Sequence, residues 1–238
     1  RGPPNRLVMQ QVPLSLSPVS VATFASFRPG PNRLAWQHLQ SSLLPHAPVY
    51  LWGPRGSGKT HLLRALAQAC QSQGRQVGWW DAAQADGVPT GPQLEPFNPA
   101  WAVLLLDNVD RLDAAAQQVV FAWMVEAQTQ GLTWVAAGTV PPVDLPLRDD
   151  LRSCIGWGHT FALEPLTEAD TRAVLRQEAD RRGIFLSDEV MDYLLSRLER
   201  DLGFLMALLD RLDDFALSHH RAVTIPLLRQ KLASPAVR

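Results

Sequence analysis

The chain has 238 residues, and 22 lysines plus arginines against 23 acids leave a formal net charge of −1, which excludes a DNA-coating protein and a polybasic membrane binder. Hydrophobic content of 46% and charged content of 19% are those of a globular protein of one or two domains, with no apolar run near the roughly 18–20 residues of a membrane span and no signal-peptide core at the start. Cys70 and Cys154 have no CxxC or Cys/His spacing, which excludes a disulfide scaffold and a zinc finger and fits a reducing, cytoplasmic setting.

Residues 1–22 contain four prolines and no periodic pattern, so they read as an extended tail. From 23 to 164, apolar strands alternate with helical patterns, as in a parallel α/β sheet. Val49 to Trp52 is a short strand, followed by a glycine turn and a helix from Lys59 to Gln73 that Gly74 closes. Gln76 to Asp81 is the next strand, and residues 84–100, with four prolines and two glycines, form a long loop. Ala102 to Leu106 is apolar on both faces and belongs inside the sheet. Asp113 caps a helix running to about Gln130. Thr133 to Ala137 is another buried strand, Pro141, Pro142 and Pro146 interrupt the chain, and His159 to Leu163 is the last strand. Residues 165–238 read as helices alone, with Thr167, Ser187, Asp201 and Thr224 as N-caps. The expected fold is therefore α/β, a parallel sheet flanked by helices and followed by a small all-helical domain.

Gly53-Pro54-Arg55-Gly56-Ser57-Gly58-Lys59-Thr60 matches GxxxxGK(S/T) between a strand and a helix, the context a phosphate-binding loop requires. Its glycines let backbone N–H groups converge on phosphate oxygens, and the helix N-terminus adds a favourable dipole. Lys59 reaches the β- and γ-phosphates, and the Thr60 hydroxyl is a Mg²⁺ ligand. Lys59 and Lys231 are the only lysines in a chain that otherwise uses arginine. Leu104-Leu105-Leu106-Asp107-Asn108 delivers a carboxylate to Mg²⁺ from a strand end. That pattern is weak alone and gains meaning about fifty residues after a phosphate loop. Asn108 stands where a hydrolytic enzyme places an acid, and an amide orients water without taking its proton. Thr139, after the strand Trp134 to Ala137, is either a γ-phosphate sensor or a turn threonine. Gln11, Leu14 and Leu16 are spaced to fill separate pockets of a partner from an extended peptide, although such a hexapeptide also suits a plain linker. His159, His219 and His220 lack ligand spacing, and the eight tryptophans form no stacking platform for nucleic acid.

Together with Pro141-Pro142 and Ile155-Gly156-Trp157-Gly158, these elements resemble the AAA+ module of the replication initiator DnaA and, within that group, the Hda family. The resemblance runs from about Gln10 to Leu232 and is most specific at Gln11–Leu16, Thr23–Phe27 with Gly30 and Asn32, Tyr50–Gly53 and Gly156–Gly158. It implies a tail with a clamp-binding peptide over 1–22, a nucleotide-binding AAA+ domain over 23–164 and a helical lid over 165–238. It implies ADP or ATP with Mg²⁺, bound by Phe24, Phe27, Asn32, the loop from Gly53 to Thr60 and His61, with Thr60 and Asp107 on the metal. Its partners would be the β-subunit sliding clamp of DNA polymerase and the DnaA initiator. No membrane contact and no strong direct DNA binding are expected, since no helix-turn-helix domain follows the lid in this sequence; a homo-oligomer stays open.

Three positions depart from that pattern. Leu151-Arg152-Ser153-Cys154 carries Cys154 where the family has an interface arginine finger. Gly203 stands where a lid arginine is frequent, and Thr139 where an acid is usual. With Asn108, these departures set the expectation of a nucleotide-binding regulator of replication initiation that is not an efficient ATPase by itself. The alternatives are an autonomous AAA+ ATPase, which needs the finger and the acid pair, and a DnaA-like loader paralogue without the clamp contact.

Overall fold

The computed structural model describes residues 22–41, 47–83, 96–197, 202, 205, 206, 208–210, 212, 224–226 and 228. They fall into two compact units, one taking in Val21–Val174 and the other Leu175–Glu199 with the described residues from Leu205 onward. The tail over 1–21, residues 84–95 of the long loop, and Asp201 and Gly203 lie outside the described residues.

The first unit is built on five parallel strands: β1 (Val49–Trp52), β2 (Gln76–Asp81), β3 (Trp101–Asp107), β4 (Thr133–Gly138) and β5 (His159–Ala162). Their order across the sheet is β2-β3-β4-β1-β5, and each observed pairing is parallel. Helix α1 (Arg33–Ser41) precedes β1, and α2 (Lys59–Ser72), α3 (Ala114–Thr129) and α4 (Asp149–Gly156) lie between strands. The expected strands are all present. Two helices escaped the sequence reading. In α1 only Ala35 and Leu39 are fully buried, and in α4 only Leu151 and Ile155. A single pair at i, i+4 is too short a signal for a helical period.

The period-2 alternation of the strands divides the apolar residues between the two faces of the sheet. Val49, Leu51, Val103, Leu105, Val135 and Ala137 pack with α1 and α2 residues such as Leu39, Leu62 and Leu66. Tyr50, Leu104, Leu106, Trp134 and Ala136 pack with α3 and α4 residues such as Val120, Met124, Leu151 and Ile155. Burying strands on both faces is what an all-parallel sheet demands. Truncating any one of these leucines to alanine costs about 2–5 kcal/mol.

The helix ends follow the expected chemistry. Asp113 caps α3, its carboxylate accepting from Ala116 N at 2.7 Å. Gly74 and Gly131 take positive φ just past α2 and α3. Gly158 has a different duty. A Cβ there would stand 1.9 Å from the Pro48 carbonyl oxygen, the atom that accepts from His159 N and opens the β1–β5 pairing.

Helix α5 (Glu168–Arg181) starts in the first unit, and its second half, from Leu175, belongs to the second, where it ends before Gly183, whose φ is +69°. Ser187 accepts from Val190 N at the start of α6 (Asp188–Arg197). Val190, Met191, Leu194 and Leu195 are buried, a face at helical spacing. Thr167, within the first unit, caps α5 by accepting from Asp170 N at 3.1 Å.

Candidate functional site

Parallel strands bring all their C-terminal ends to one edge of the sheet, and ligands of such sheets bind there where the strand order reverses. Here β1 runs between β4 and β5, and the loop leaving β1 is Gly53 to Gly58. Its conformation needs glycine. Gly53, Gly56 and Gly58 have φ of +150°, +77° and +95°. A Cβ on Gly53 would lie 2.1 Å from the Leu163 carbonyl oxygen, and one on Gly58 2.7 Å from the Phe27 ring. Pro54 and Arg55 are exposed, whereas Ser57 and Lys59 are buried. Lys59 Nζ donates to the carbonyl oxygens of Gly53 at 2.6 Å and Pro54 at 2.8 Å and lies 3.3 Å from Ser57 Oγ. The ammonium is thus held over the mouth of the loop whose N–H groups would receive phosphate.

Thr60, in the first turn of α2, donates its hydroxyl to Asp107 Oδ2 at 2.6 Å. The sequence reading joined these two residues as metal ligands, and the fold places them in contact. Asp107 is 1% exposed. Burial pushes its carboxyl above the ordinary range, the Thr60 hydrogen bond draws it back, and the neighbouring Asp81 raises it again. One carboxylate and one hydroxyl, completed by phosphate oxygens and water, is a hard-oxygen set of the kind Mg²⁺ takes. Thr60 and Asp107 are the residues that fit the ion.

Asn108 follows in the left-handed region (φ 54°, ψ 42°), a conformation Asn tolerates better than most residues. Its backbone N donates to Asp107 Oδ1 at 2.9 Å. Its side-chain Nδ2 donates to Asp81 Oδ1 at 2.7 Å. Asp81 ends β2 in register with Asp107. Sequence reasoning passed over Asp81, although the matching strand ends Trp80-Asp81 and Leu106-Asp107 were a signal for it.

Thr139 stands at the end of β4 and donates its hydroxyl to Asp110 Oδ2 at 2.9 Å. Its one proton is therefore held by Asp110 in this arrangement rather than presented to a phosphate. Asp110 Oδ1 is buried with no partner among the described residues. Tyr50, beneath Gly138, donates to the Val140 carbonyl at 2.8 Å.

The segment ahead of α1 is fastened to the phosphate loop. Asn32 is buried and links three parts of the chain. Its Nδ2 donates to the carbonyls of Ser57 at 3.3 Å and Glu164 at 2.8 Å, and its Oδ1 accepts from Glu164 N at 2.8 Å. Phe24 and Phe27 are each 9% exposed and belong to the core cluster beside α2. His61 Nε2 lies 3.0 Å from the Thr23 carbonyl and 3.3 Å from Ser26 Oγ, and its ring is tilted against Phe27 at 5.4 Å. The residues expected around a nucleotide are thus joined to one another.

Cys154 lies on α4 and packs against the apolar cluster beneath it. Burial raises its thiol pKa, as does Asp150 nearby, so it stays neutral. Arg152, two positions earlier on the helix, pairs with Asp149. Residues two apart on a helix do not share a face. Gln11, Leu14 and Leu16 are outside the described residues.

A parallel sheet with a phosphate loop after β1 and an acid closing β3 is the P-loop nucleotide-binding architecture of AAA+ proteins. Domain III of the DnaA replication initiation protein of Thermotoga maritima superposes with a TM-score of 0.72 at 22% identity, over 90% of this chain and 96% of that one. AMPPCP-bound DnaA from Aquifex aeolicus matches with a TM-score of 0.64 at 24% identity, over 84% of this chain and 68% of that one. A RuvB structure from Thermotoga maritima gives 0.56 at 18% identity, over 87% and 68%. Residues 168–232 match the family described as Hda, lid domain. The chain thus has an AAA+-like fold of the kind seen in domain III of DnaA, and its C-terminal helices are similar to the Hda lid. Among the described residues, no helix is long and apolar enough to cross a membrane.

His61 yields a prediction about acid. Burial lowers its pKa, the Thr23 carbonyl raises it in part and Arg64 lowers it. The unfolded chain, with an imidazole near its reference value of about 6.5, binds the proton more tightly. The stabilising share of neutral His61 is complete above about pH 6.5 and is lost as pH falls from there towards the lowered folded value. His38, also lowered by burial, acts in the same direction. Melting temperatures measured from pH 7.5 to 5.5 are expected to fall less steeply for His61→Gln than for the native chain, and parallel curves would contradict the assignment.

Proposed function

We propose that this protein is a nucleotide-binding adaptor that restrains replication initiation: it docks on the DNA-polymerase sliding clamp and promotes hydrolysis of the ATP held by DnaA. The observation that carries this reading is a phosphate cradle with its parts in contact, Lys59 over the loop and Thr60 on Asp107, together with an amide at position 108 and a neutral thiol at position 154. Such a site binds ADP or ATP with Mg²⁺ and turns it over slowly. The Hda-lid match supports a role beside the initiator, and AMPPCP in the Aquifex aeolicus DnaA structure supports an adenine nucleotide. Gln11, Leu14 and Leu16 supply the peptide for the clamp, with the AAA+ surface left for the initiator.

A ligand at a hundred times its dissociation constant stabilises a protein by about 2.7 kcal/mol. The native chain should therefore melt several degrees higher with ADP, and Lys59→Ala should show little of that shift. An equal shift in both would refute the site. Clamp retention in a pull-down should vanish when Gln11, Leu14 and Leu16 are replaced by alanine, with the ADP shift intact. Loss of both together would place the peptide within the fold, and brisk ATP turnover by the isolated chain would favour an autonomous ATPase.

Cys154 sets the expected strength of the effect. An arginine finger stabilises charge on the transferring phosphoryl group and is worth on the order of 10³–10⁵ in rate. A short neutral thiol packed on the core does neither. The native chain should stimulate initiator ATP turnover on clamp-loaded DNA weakly, and Cys154→Arg should raise it strongly while the ADP shift, which also reports folding, is unchanged. Full stimulation by the native chain that Arg152→Ala abolishes would make Arg152 the finger instead.

A further inference from the structure

Two carboxylates end adjacent parallel strands in register, Asp81 on β2 and Asp107 on β3. Parallel pairing sets those strand ends side by side, where like charges repel. Asn108 separates them chemically, because it donates to both: its backbone N to Asp107 and its side-chain Nδ2 to Asp81. Asp81 Oδ1 also accepts from Ala83 N at 2.9 Å, so the carboxylate is fixed by its own loop before it meets Asn108. A carboxylate partner settles which way the Asn108 amide points, because only the NH₂ group can donate. The amide thus donates to β2, which leaves its carbonyl oxygen as an acceptor.

We propose that Asp81 is a positioning residue that dictates the amide at position 108 and so holds the site in a form that binds nucleotide without hydrolysing it. This rests on the nucleotide-binding reading above. The physical reason is local. An acid at 108 would keep the backbone bond to Asp107 but lose the side-chain donor to Asp81, and would put a third negative charge beside the two carboxylates. With Asp81 in place, position 108 accepts an amide and rejects the carboxylate that hydrolysis calls for. In that hydrolysis the oxygen of water bonds to the γ-phosphorus, the bond from that phosphorus to the bridging oxygen of ADP breaks with its electron pair leaving on ADP, and the water proton passes to the acceptor at 108. An amide oxygen aligns the water but is too weak a base to receive the proton. The two side chains are thus exchangeable only as a pair, an acid ending β2 with an amide just after β3 or the reverse.

A double-mutant cycle of Asp81→Asn, Asn108→Asp and both together tests this in the full chain, with three readouts: melting temperature without nucleotide, the ADP-induced thermal shift, and phosphate release in a single turnover of ATP. Asn108→Asp alone is expected to lower the melting temperature, and the double exchange to restore it, a coupling that additive effects cannot produce. The double exchange should keep the ADP shift and release phosphate on the order of ten- to a hundredfold faster than the native chain, within the range of general-base catalysis. Asn108→Asp as stable and as hydrolytic as the double exchange would overturn the proposal. So would a double exchange no more stable than that single variant, or one that is stable, binds ADP and stays as slow as the native chain. Should the native chain show no ADP shift, the nucleotide reading fails, while the melting temperatures still report whether Asp81 governs residue 108.

Discussion

Everything at the site depends on the parallel register of the sheet. Trp52 pairs with Gly138, Leu106 with Ala136, and Asp81 with Asp107, so four strands deliver their last residues to one edge. A phosphate loop, a buried acid, a polar threonine and a second acid come from positions spread over nearly ninety residues of sequence. Each is placed by backbone pairing rather than by its own local preference. The apolar residues that hold the register lie on both faces, with Leu104, Leu105 and Leu106 alternating between the two clusters. A slip of one residue would turn Asp107 into the core and an apolar side chain towards Thr60.

Asn32 adds a second level of order. A buried amide with its hydrogen bonds made fixes its surroundings, whereas removing one partner leaves the other groups unsatisfied at about 1–3 kcal/mol each. The amide holds the carbonyl of Ser57 and both backbone groups of Glu164. The phosphate loop, the segment ahead of α1 and the exit from β5 are therefore tied to one another through a single side chain. Gly53 fits the same constraint from the opposite side, because the Leu163 carbonyl lies where its Cβ would be. Binding at such a loop begins from an ordered cradle, which spares the nucleotide part of the cost of ordering it.

Much of this was legible in the residues. The glycine-lysine run names its chemistry, and the strands, the α3 cap at Asp113 and the terminal glycines follow from short-range patterns. The Thr60–Asp107 contact followed from pairing two motifs. What escaped notice was set by distance or brevity. Asp81 matters because β2 lies beside β3, and strand order is written nowhere in a local pattern. Asp110 takes the Thr139 hydroxyl across twenty-nine positions, which made a plausible phosphate sensor into half of an internal pair. Helix α1 hid behind Pro29 and Pro31, with too few buried positions to show a period. Phe24 and Phe27 were expected against a base, and the fold also employs them as core.

Along β2 and β3, from the residue before Asp81 back to the start of β3, runs a chain of aromatic rings. Trp80 meets Trp123 at 5.9 Å, Trp123 meets Trp101 at 5.8 Å, and Trp101 meets Phe97 at 5.4 Å, each close to edge-on. Gly78 admits this arrangement, since a Cβ there would lie 2.6 Å from the Trp101 ring. Indoles this close and this fixed in angle couple their electronic transitions, so the cluster gives the end of β2 a signature in near-ultraviolet circular dichroism. A shift of Asp81 or of the loop after it displaces Trp80 first, and the coupling with Trp123 changes with it. The protein therefore carries, one residue away from its exchangeable acid, an intrinsic optical gauge of whether that acid has moved.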